Sequence, residues 1–219
     1  MKLYYFLMSL LFPPKCILCG RLLEKREQDL CRECRCDSPE YPFRKENIQF
    51  LDSFTAVWYY EESVRRSLLR FKFRGARHYA KSFGRLLAMA VMQAHPEGID
   101  LITWVPVSFL RKLRRGYDQV ELIAKAVSEE LGIPCEKTLK KVRHNRPQSG
   151  LDSHPERRAN VLGAYRCTNP ELMKNKRILL LDDILTTGAT AGECARVLLT
   201  AGGSEVHCAV VAATRKHKQ

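Results

Sequence analysis

The sequence lacks a long apolar run, an internal repeat and a low-complexity segment. The apolar stretch near its start, "LYYFLMSLLF", ends at Phe12 before two prolines, whereas a membrane-spanning helix needs about 20 apolar residues. The stretch is also not followed by the small-residue cleavage site that ends an export signal. We therefore predict no membrane span and no export, and interpret this stretch as a short helix packed on the protein through its apolar face.

Acidic residues are scarce relative to basic ones. The 219 residues include 37 Lys and Arg but only 24 Asp and Glu, which leaves a formal net charge of +13. This charge predicts binding to a polyanion (a phosphate-rich small molecule, nucleic acid or an acidic protein), although a basic protein without a specific polyanion has the same composition. The 45% hydrophobic content excludes a disordered chain and fits one α/β domain with a small appendage.

The nine cysteines are an odd number, which argues against a fully paired disulfide framework. Four of them stand singly among aliphatic residues, as buried free thiols do in a reducing compartment. These are Cys135, Cys167, Cys194 and Cys208. We therefore predict a cytoplasmic protein.

Four other cysteines form two C-x-x-C pairs, Cys16 with Cys19 and Cys31 with Cys34. Each pair can hold a metal ion from a tight turn, and four thiolates make the tetrahedral set that Zn²⁺ accepts. A site closed by four protein ligands has no open position, so we predict a structural zinc. Redox-active or incidental pairs are the alternative, and Cys36 can replace Cys34 as the fourth ligand.

The order of the predicted elements indicates an α/β fold. Four strand-like stretches alternate with helical ones, which predicts a parallel sheet with helices on both faces. They are "SFTAVWYYEE", "IDLITWVPVS" ending at Pro106, "RILLLDD" and "EVHCAVVAATR". The connector "DSPEYPFRKEN" marks a boundary, so we predict an N-terminal helix with the four-Cys segment over residues 1–45 and a sheet domain over 46–219.

Two acids and a threonine-rich loop follow the third predicted strand. Ligands of parallel sheets bind beyond the carboxyl ends of the strands, which is where Asp182 and Asp183 stand. Their carboxylates can accept hydrogen bonds from paired hydroxyls such as those of a ribose. The loop Thr186, Thr187, Gly188, Ala189 and Thr190 offers N–H groups and hydroxyls to a phosphate at a helix start. A helix cap with solvated acids is the alternative.

A basic segment, "VPVSFLRKLRRGYDQ", follows the second predicted strand. We predict a loop that carries Arg111, Lys112, Arg114 and Arg115, of which the last two can bind phosphate oxygens in bidentate fashion. A solvated basic turn is the alternative.

The strand, paired acids, double Thr and Gly occur in an order that resembles the phosphoribosyl diphosphate (PRPP) binding motif of type I phosphoribosyltransferases. With "LFPPKCILCG", "FKFRG", "VPVSFLRKLRRGYDQ" and "RPQSGLD", the chain from Leu11 to about Thr214 resembles the ComF family, proteins linked to bacterial competence for DNA uptake. The resemblance implies a type I phosphoribosyltransferase fold, a parallel sheet flanked by helices, with a small zinc-ribbon-like N-terminal segment.

The resemblance also implies which residues bind PRPP. The set is Asp182, Asp183, Thr186, Thr187, Gly188, Ala189, Thr190, Val107, Ser108, Arg114 and Arg115. Mg²⁺ is expected with the diphosphate, because it binds substrate phosphates with few protein ligands. Purine-salvage members have an Asp, which handles a purine proton, where this chain has Thr186. Hypoxanthine or guanine salvage is therefore disfavoured, and the acceptor is left open.

The polar segment "KKVRHNRPQSGLDSHPERRAN" is predicted to form a movable hood that shields bound PRPP from water. Arg146 and Gln148 are candidates for substrate contact, and Arg157 or Arg158 for anchoring the hood. Positive charge must meet the diphosphate as it leaves, so Arg115 and Arg146 are the catalytic candidates. An ordinary surface loop is the alternative.

A third basic segment, "RRSLLRFKFRGARHYAKSFGR", places cations around Phe71 and Phe73. Such a pattern can bind single-stranded nucleic acid by charge and base stacking, or the rings can be core residues with a solvated basic rim.

Two functions follow from the whole sequence. One is a PRPP-binding transferase linked to competence or nucleotide metabolism; the other is a single-stranded-DNA-handling factor that binds PRPP without transfer. DNA-uptake machinery proteins are expected partners of either.

Overall fold

The computed structural model describes residues 13–42, 47–95, 97–143 and 159–215, so the short helix predicted before Pro13 lies outside the described residues. The described helices are α1 (Arg32–Asp37), α2 (Glu62–Phe73), α3 (Tyr79–Ala94), α4 (Phe109–Arg115), α5 (Gln119–Leu131) and α6 (Ala189–Thr200), with one 3₁₀ turn (Pro170–Met173). The strands are β1 (Ser53–Tyr59), β2 (Leu101–Trp104), β3 (Leu139–Lys141), β4 (Tyr165–Cys167), β5 (Arg177–Leu185) and β6 (Glu205–Ala213).

Four strands form one parallel sheet in the order β1–β6–β5–β2. Strand β5 therefore has a neighbouring strand on each side. The predicted α/β fold is confirmed, but two strand ends differ from the prediction. Strand β2 ends at Trp104 rather than at Pro106, and β5 continues past the acidic pair to Leu185.

The two faces of the sheet carry separate apolar clusters, because successive side chains of a strand point to opposite faces. Leu179 and Leu181 of β5 pack with α2, α3 and α5, whereas Ile178 and Leu180 pack with α6. Helices thus cover both faces, as predicted. The apolar positions on one side of α5 are all buried: Val120, Ile123, Ala124 and Val127.

The N-terminal cysteine segment packs directly on the sheet domain. Ile17 and Leu18 are buried in the same apolar cluster as α2 and α3. The Arg70 guanidinium donates to the carbonyl oxygens of both residues, at 2.9 and 2.6 Å. Arg85 of α3 forms a two-pronged ion pair with Asp29, in which Nε lies 3.0 Å from Oδ2. The segment and the domain therefore share one core.

A short antiparallel ribbon of β3 and β4 includes the start of the predicted hood, residues 140–160, because Lys140 and Lys141 lie in β3. The Arg143 guanidinium donates to the carbonyl oxygen of Asn160 at 3.2 Å, which connects the described ends of the hood. Residues 144–158 lie outside the described part of the chain. Among the helices that are described, none has both the length and the apolar character needed to cross a membrane.

Candidate functional site

The two acids after the aliphatic run lie on opposite faces of β5. Both are still in the strand, where consecutive side chains alternate, so Asp183 faces α2 and α5 and Asp182 faces α6. The backbone N–H of Asp183 donates to Oδ1 of Asp182 at 2.8 Å, which orients the latter carboxylate. The two acids are neighbours in sequence but have separate surroundings.

Asp183 is buried and bound by two side chains that the sequence analysis did not assign to the site. Lys72 Nζ, in the last turn of α2, lies 2.8 Å from Asp183 Oδ2. Gln119 Nε2, in the first turn of α5, donates to the same oxygen at 3.1 Å. The Gln119 side-chain oxygen is buried and has no hydrogen-bond partner among the described residues. An unsatisfied buried acceptor beside a carboxylate is the environment that a ligand hydroxyl or a metal-bound water satisfies.

Asp182 lies on the α6 face, close to Cys194 and Tyr165. Burial, together with the charge of Asp183, raises the pKa of the Asp182 carboxyl to about 8. Burial and then the Asp182 charge raise the pKa of the Cys194 thiol well above its ordinary value, and the Tyr165 phenol is affected in the same direction. In the absence of a ligand, the Asp182 carboxyl therefore holds its proton to a higher pH than an exposed aspartate does.

The threonine loop, residues 186–190, connects β5 to α6 at the carboxyl edge of the sheet. Gly188 has a φ of +76°, a left-handed conformation, and directly precedes α6. The N–H of Ala189 donates to the Thr187 hydroxyl at 3.4 Å. A Cβ at Gly188 would lie 2.8 Å from Ile48 Cγ2, so the glycine is needed for both its φ and its close contact with the connector.

Two hollows flank this edge of the sheet. A cavity of about 430 Å³ lies between the threonine loop, residues 47–50 and residues 159–162, and includes Thr187 and Gly188 in its wall but neither acid. A smaller hollow of about 240 Å³ is lined by Lys72, Phe73 and Arg115, with Gly75 and Tyr117. The second hollow borders the Lys72–Asp183 pair.

The basic segment after β2 is a helix, so the prediction of a loop there was wrong. Residues from Phe109 to Arg115 form α4, which begins after Ser108 and ends at Gly116 in a left-handed conformation. Arg111, Lys112, Arg114 and Arg115 all lie in this helix. The Arg115 guanidinium lies 4.9 Å from the centre of the Phe73 ring, which is 55% exposed. The side chain of Arg114 lies outside the described part of the structure.

Val107 and Ser108 are brought close to the acids by the pairing of β2 with β5. The N–H of Val105 donates to the carbonyl oxygen of Leu181 at 2.9 Å, so the chain leaves the sheet next to Asp182. The structure thus brings three segments to the carboxyl edge of the sheet. They are the turn of residues 105–108 (the post-β2 turn), the acidic pair and the threonine loop. Arg146, Gln148, Arg157 and Arg158 lie outside the described residues.

The basic segment in α2 is divided among three environments. Phe71 is fully buried, so its ring belongs to the core, whereas Phe73 is exposed. Arg70 binds the cysteine segment, and Lys72 binds Asp183. The interpretation of both rings as core residues is therefore correct for Phe71 only. One local signal pointed to Lys72: it is a lone cation between two phenylalanines near a helix end.

The four cysteines of the C-x-x-C pairs converge. Their Sγ atoms all lie within 4.8 Å of one another, and those of Cys19 and Cys31 are 3.7 Å apart. Four sulfurs at about 2.3 Å from a zinc ion are about 3.8 Å apart, so the cluster fits Zn²⁺. Cys36 is exposed and outside this cluster, which leaves Cys34 as the fourth ligand. Cys16, Cys19, Cys31 and Cys34 can therefore hold a tetrahedral metal ion.

Comparisons with known proteins bear on the family of this chain. The phosphoribosyl transferase domain family matches residues 108–219. Competence protein F of Haemophilus influenzae is 30% identical over 199 residues, which cover 88% of this chain and 82% of that protein. Competence protein ComFC of Bacillus subtilis is 26% identical over 187 residues, which cover 85% and 72%.

DNA utilization protein YhgH of Escherichia coli K12 is 25% identical over 208 residues, which cover 87% of this chain and 86% of that protein. Among solved structures, the glutamine PRPP amidotransferase of B. subtilis, complexed with ADP and GMP, is 25% identical. It covers 61% of this chain and 26% of its own, with a TM-score of 0.42. From the domain match and the 30% identity to competence protein F, the chain belongs to the ComF family and carries a phosphoribosyl transferase domain.

Proposed function

We propose that this protein binds PRPP with Mg²⁺ at the carboxyl edge of its sheet. The observation that carries the proposal is the convergence of the acidic pair, the threonine loop and the post-β2 turn at this edge. The loop leads into α6, a helix of 12 residues, whose first N–H groups and positive dipole end favour a phosphate. We assign the 5′-phosphate of PRPP to residues 186–190.

The two acids have different tasks in this proposal. Lys72 and Gln119 both use Oδ2 of Asp183, so we assign Oδ1 to a ribose hydroxyl. Asp182 has one oxygen oriented by the backbone and we assign the other to the second hydroxyl. The unsatisfied Gln119 oxygen supports a ligand that donates hydrogen bonds at this point. Each assignment uses a hydroxyl as donor and a side-chain oxygen as acceptor.

The diphosphate is assigned to the turn at Val107 and Ser108 and to the start of α4. Arg114 and Arg115 supply positive charge to the leaving diphosphate, and Arg146 would add to it from the hood segment. Asp182 and Asp183 would hold Mg²⁺ at this edge, because the ion binds with one or two protein carboxylates beside substrate phosphates. When bound, the ion neutralises negative charge as the diphosphate leaves.

The first experiment replaces both acids. Asp182→Asn with Asp183→Asn should weaken PRPP binding at least tenfold, about 1.4 kcal/mol, measured by calorimetry with Mg²⁺. Asp37→Asn, an exposed acid in α1, is the control and should keep its affinity. Because Asp183 is paired with Lys72, thermal melting must accompany the measurement to separate lost binding from lost folding. Unchanged affinity in the folded double variant contradicts the site.

A second experiment asks whether the bound PRPP is used. The protein would be incubated with PRPP, Mg²⁺ and a panel of amines, nucleobases and nucleic acids, and diphosphate release would be measured. Release that depends on one acceptor supports a transferase and identifies its substrate class. Arg115→Ala should then lower the rate, whereas Arg66→Ala in α2 should leave it unchanged. Binding of PRPP without release favours a protein that uses PRPP as a signal.

A second candidate function, handling of single-stranded DNA, is favoured by the exposed Phe73 ring beside Arg115. Base stacking on such a ring contributes about 1–3 kcal/mol per base, and guanidinium groups add charge. Three of the relatives above are named for competence or DNA utilization, and we propose a corresponding role in DNA uptake here. Because Lys72 at the acidic pair is adjacent to Phe73, DNA and PRPP sites would adjoin one another rather than lie on separate surfaces.

The DNA proposal is tested with a labelled single strand at increasing salt concentration. Phe73→Ala should weaken binding about tenfold, whereas Arg66→Ala, an exposed residue on the same helix, should have little effect. Affinity should fall steeply with salt because phosphate contacts release counterions. Competition between PRPP and DNA would show that the two ligands overlap. Absence of any binding at low salt contradicts DNA handling and leaves PRPP binding as the function.

We further propose that the metal in the four-cysteine cluster is a structural Zn²⁺, since four protein thiolates leave no position for a substrate. We also propose that residues 1–45 and 46–219 are the two parts of the chain. Ile17 and Leu18 of the first part pack in the apolar core of the second. The cytoplasm is proposed as the site of action, because the thiolates of such a cluster must stay reduced.

A further inference from the structure

A second cluster of metal-binding side chains lies at the amino edge of the sheet, opposite the acidic pair. His95 follows the end of α3, Glu97 lies two residues later and His207 is in β6. One ligand atom from each of the three residues lies within 4.8 Å of the other two. The cluster shares no residue with the proposed PRPP site.

The two imidazoles are buried and lie against each other. His95 and His207 are 7% and 5% exposed, and their ring centres are 4.3 Å apart. The side chain of Glu97 is 49% exposed, so the cluster can be reached from solvent. It therefore combines a buried pair of nitrogens with an accessible carboxylate.

The hydrogen bonds of the cluster form a chain that is one hydrogen short. Glu97 Oε1 lies 3.1 Å from His95 Nδ1, and Ser53 Oγ lies 3.1 Å from His95 Nε2. The same Oγ lies 3.0 Å from His207 Nδ1, and His207 Nε2 lies 3.1 Å from Glu205 Oε2. These are four links, but the serine and two neutral imidazoles supply only three hydrogens, since carboxylates supply none. The shortage disappears when one imidazole takes up a proton, or when a metal ion occupies an imidazole nitrogen in place of one link.

We propose that His95, Glu97 and His207 form a second metal site that takes a first-row divalent ion such as Zn²⁺. Two imidazoles and a carboxylate are borderline ligands that suit zinc, and three protein ligands leave one position for water. In this proposal Ser53 holds Nε2 of His95 and Glu205 holds Nε2 of His207, as outer partners of metal-bound imidazoles commonly do, so each ring binds the ion through Nδ1. The ion would connect the end of α3 to the amino ends of β1 and β6.

The test uses Co²⁺ as the probe on the full chain, made without a histidine tag and with the four-cysteine cluster already filled with zinc. The wild-type protein should bind one further equivalent of Co²⁺. Its visible spectrum should show nitrogen and oxygen ligands, without the sulfur-to-metal charge-transfer bands of a cysteine site. Glu97→Gln should weaken this binding at least tenfold. Glu129→Gln, an exposed acid on α5, is the control and should bind as the wild type does.

A variant of a buried imidazole provides the second arm. His207→Asn should abolish the additional equivalent, and its circular dichroism spectrum shows whether the fold is retained. Glu97 is at the surface, so its variant keeps the proposal testable even if His207→Asn unfolds. Absence of a further equivalent in the wild type overturns the proposal. Equal Co²⁺ affinity in wild type and Glu97→Gln, or an equal loss in Glu97→Gln and Glu129→Gln, also overturns it.

Discussion

Replacement of Lys72 by methionine should destabilise the protein without a ligand. The Lys72 and Asp183 side chains are 14% and 9% exposed, and their charged atoms are 2.8 Å apart. Methionine keeps most of the apolar stem of lysine, so Lys72→Met removes the charge with little loss of packing. It leaves the Asp183 carboxylate buried, with the Gln119 amide at 3.1 Å as its remaining side-chain partner.

The expected loss follows from the burial of this pair. Removing one partner of a buried ion pair typically lowers the free energy of unfolding by 3–5 kcal/mol, because an uncompensated charge is left behind. The retained Gln119 bond places the loss near the lower end, at about 3 kcal/mol. Lys72→Met with Asp183→Asn removes both charges, so the double variant should be more stable than Lys72→Met alone.

Urea unfolding followed by tryptophan fluorescence and far-ultraviolet circular dichroism measures these differences. Lys125→Met is a matched control, because the Lys125 side chain is 58% exposed and its ion pair with Glu121 is at the surface. We expect that variant to lose less than about 1 kcal/mol. The argument is refuted if Lys72→Met is as stable as Lys125→Met, or if the double variant is no more stable than Lys72→Met alone.

Three further predictions follow from the sites described. Chelation, or Cys16→Ser with Cys19→Ser, should release about one zinc per chain and unfold the cysteine segment while the sheet stays folded. Metal analysis and hydrogen exchange test this, and purified protein that contains no zinc contradicts it. Because the folded Asp182 carboxyl has a pKa of about 8, above its ordinary 3.8, the folded state holds a proton that the unfolded state loses between these values. The contribution of Asp182 to stability should therefore fall as pH rises through this range, so the stability of the wild type should decline relative to that of Asp182→Asn. A difference between the two that does not change with pH in urea unfolding contradicts this. Gly188→Ala should lower the free energy of unfolding by about 1–2 kcal/mol, because alanine is strained at this φ and its Cβ would approach Ile48. An unchanged thermal melting temperature would show that the loop does not have the described conformation.

Local patterns in the sequence predicted most of the elements and their order. The aliphatic run before Asp182 indicated a strand of the parallel sheet, and the spacing of apolar residues in α5, with Gly132 after them, is a local signal of the same kind. These predictions succeeded because periodicity and a left-handed glycine act over a few residues. The helix α4 was missed, although Ser108 before it and Gly116 after it are local signals for its two ends.

The sequence by itself determined the aliphatic strand β5, the threonine loop after it and the two C-x-x-C pairs, because each depends on residues that are close together in the chain. Only the tertiary structure decided that Lys72 and Gln119 bind Asp183, and that Cys34 rather than Cys36 completes the cysteine cluster. The same holds for His95 and His207, which lie far apart in sequence and meet at the amino edge. Such contacts depend on how helices from distant parts of the chain pack on the sheet, which no local spacing encodes.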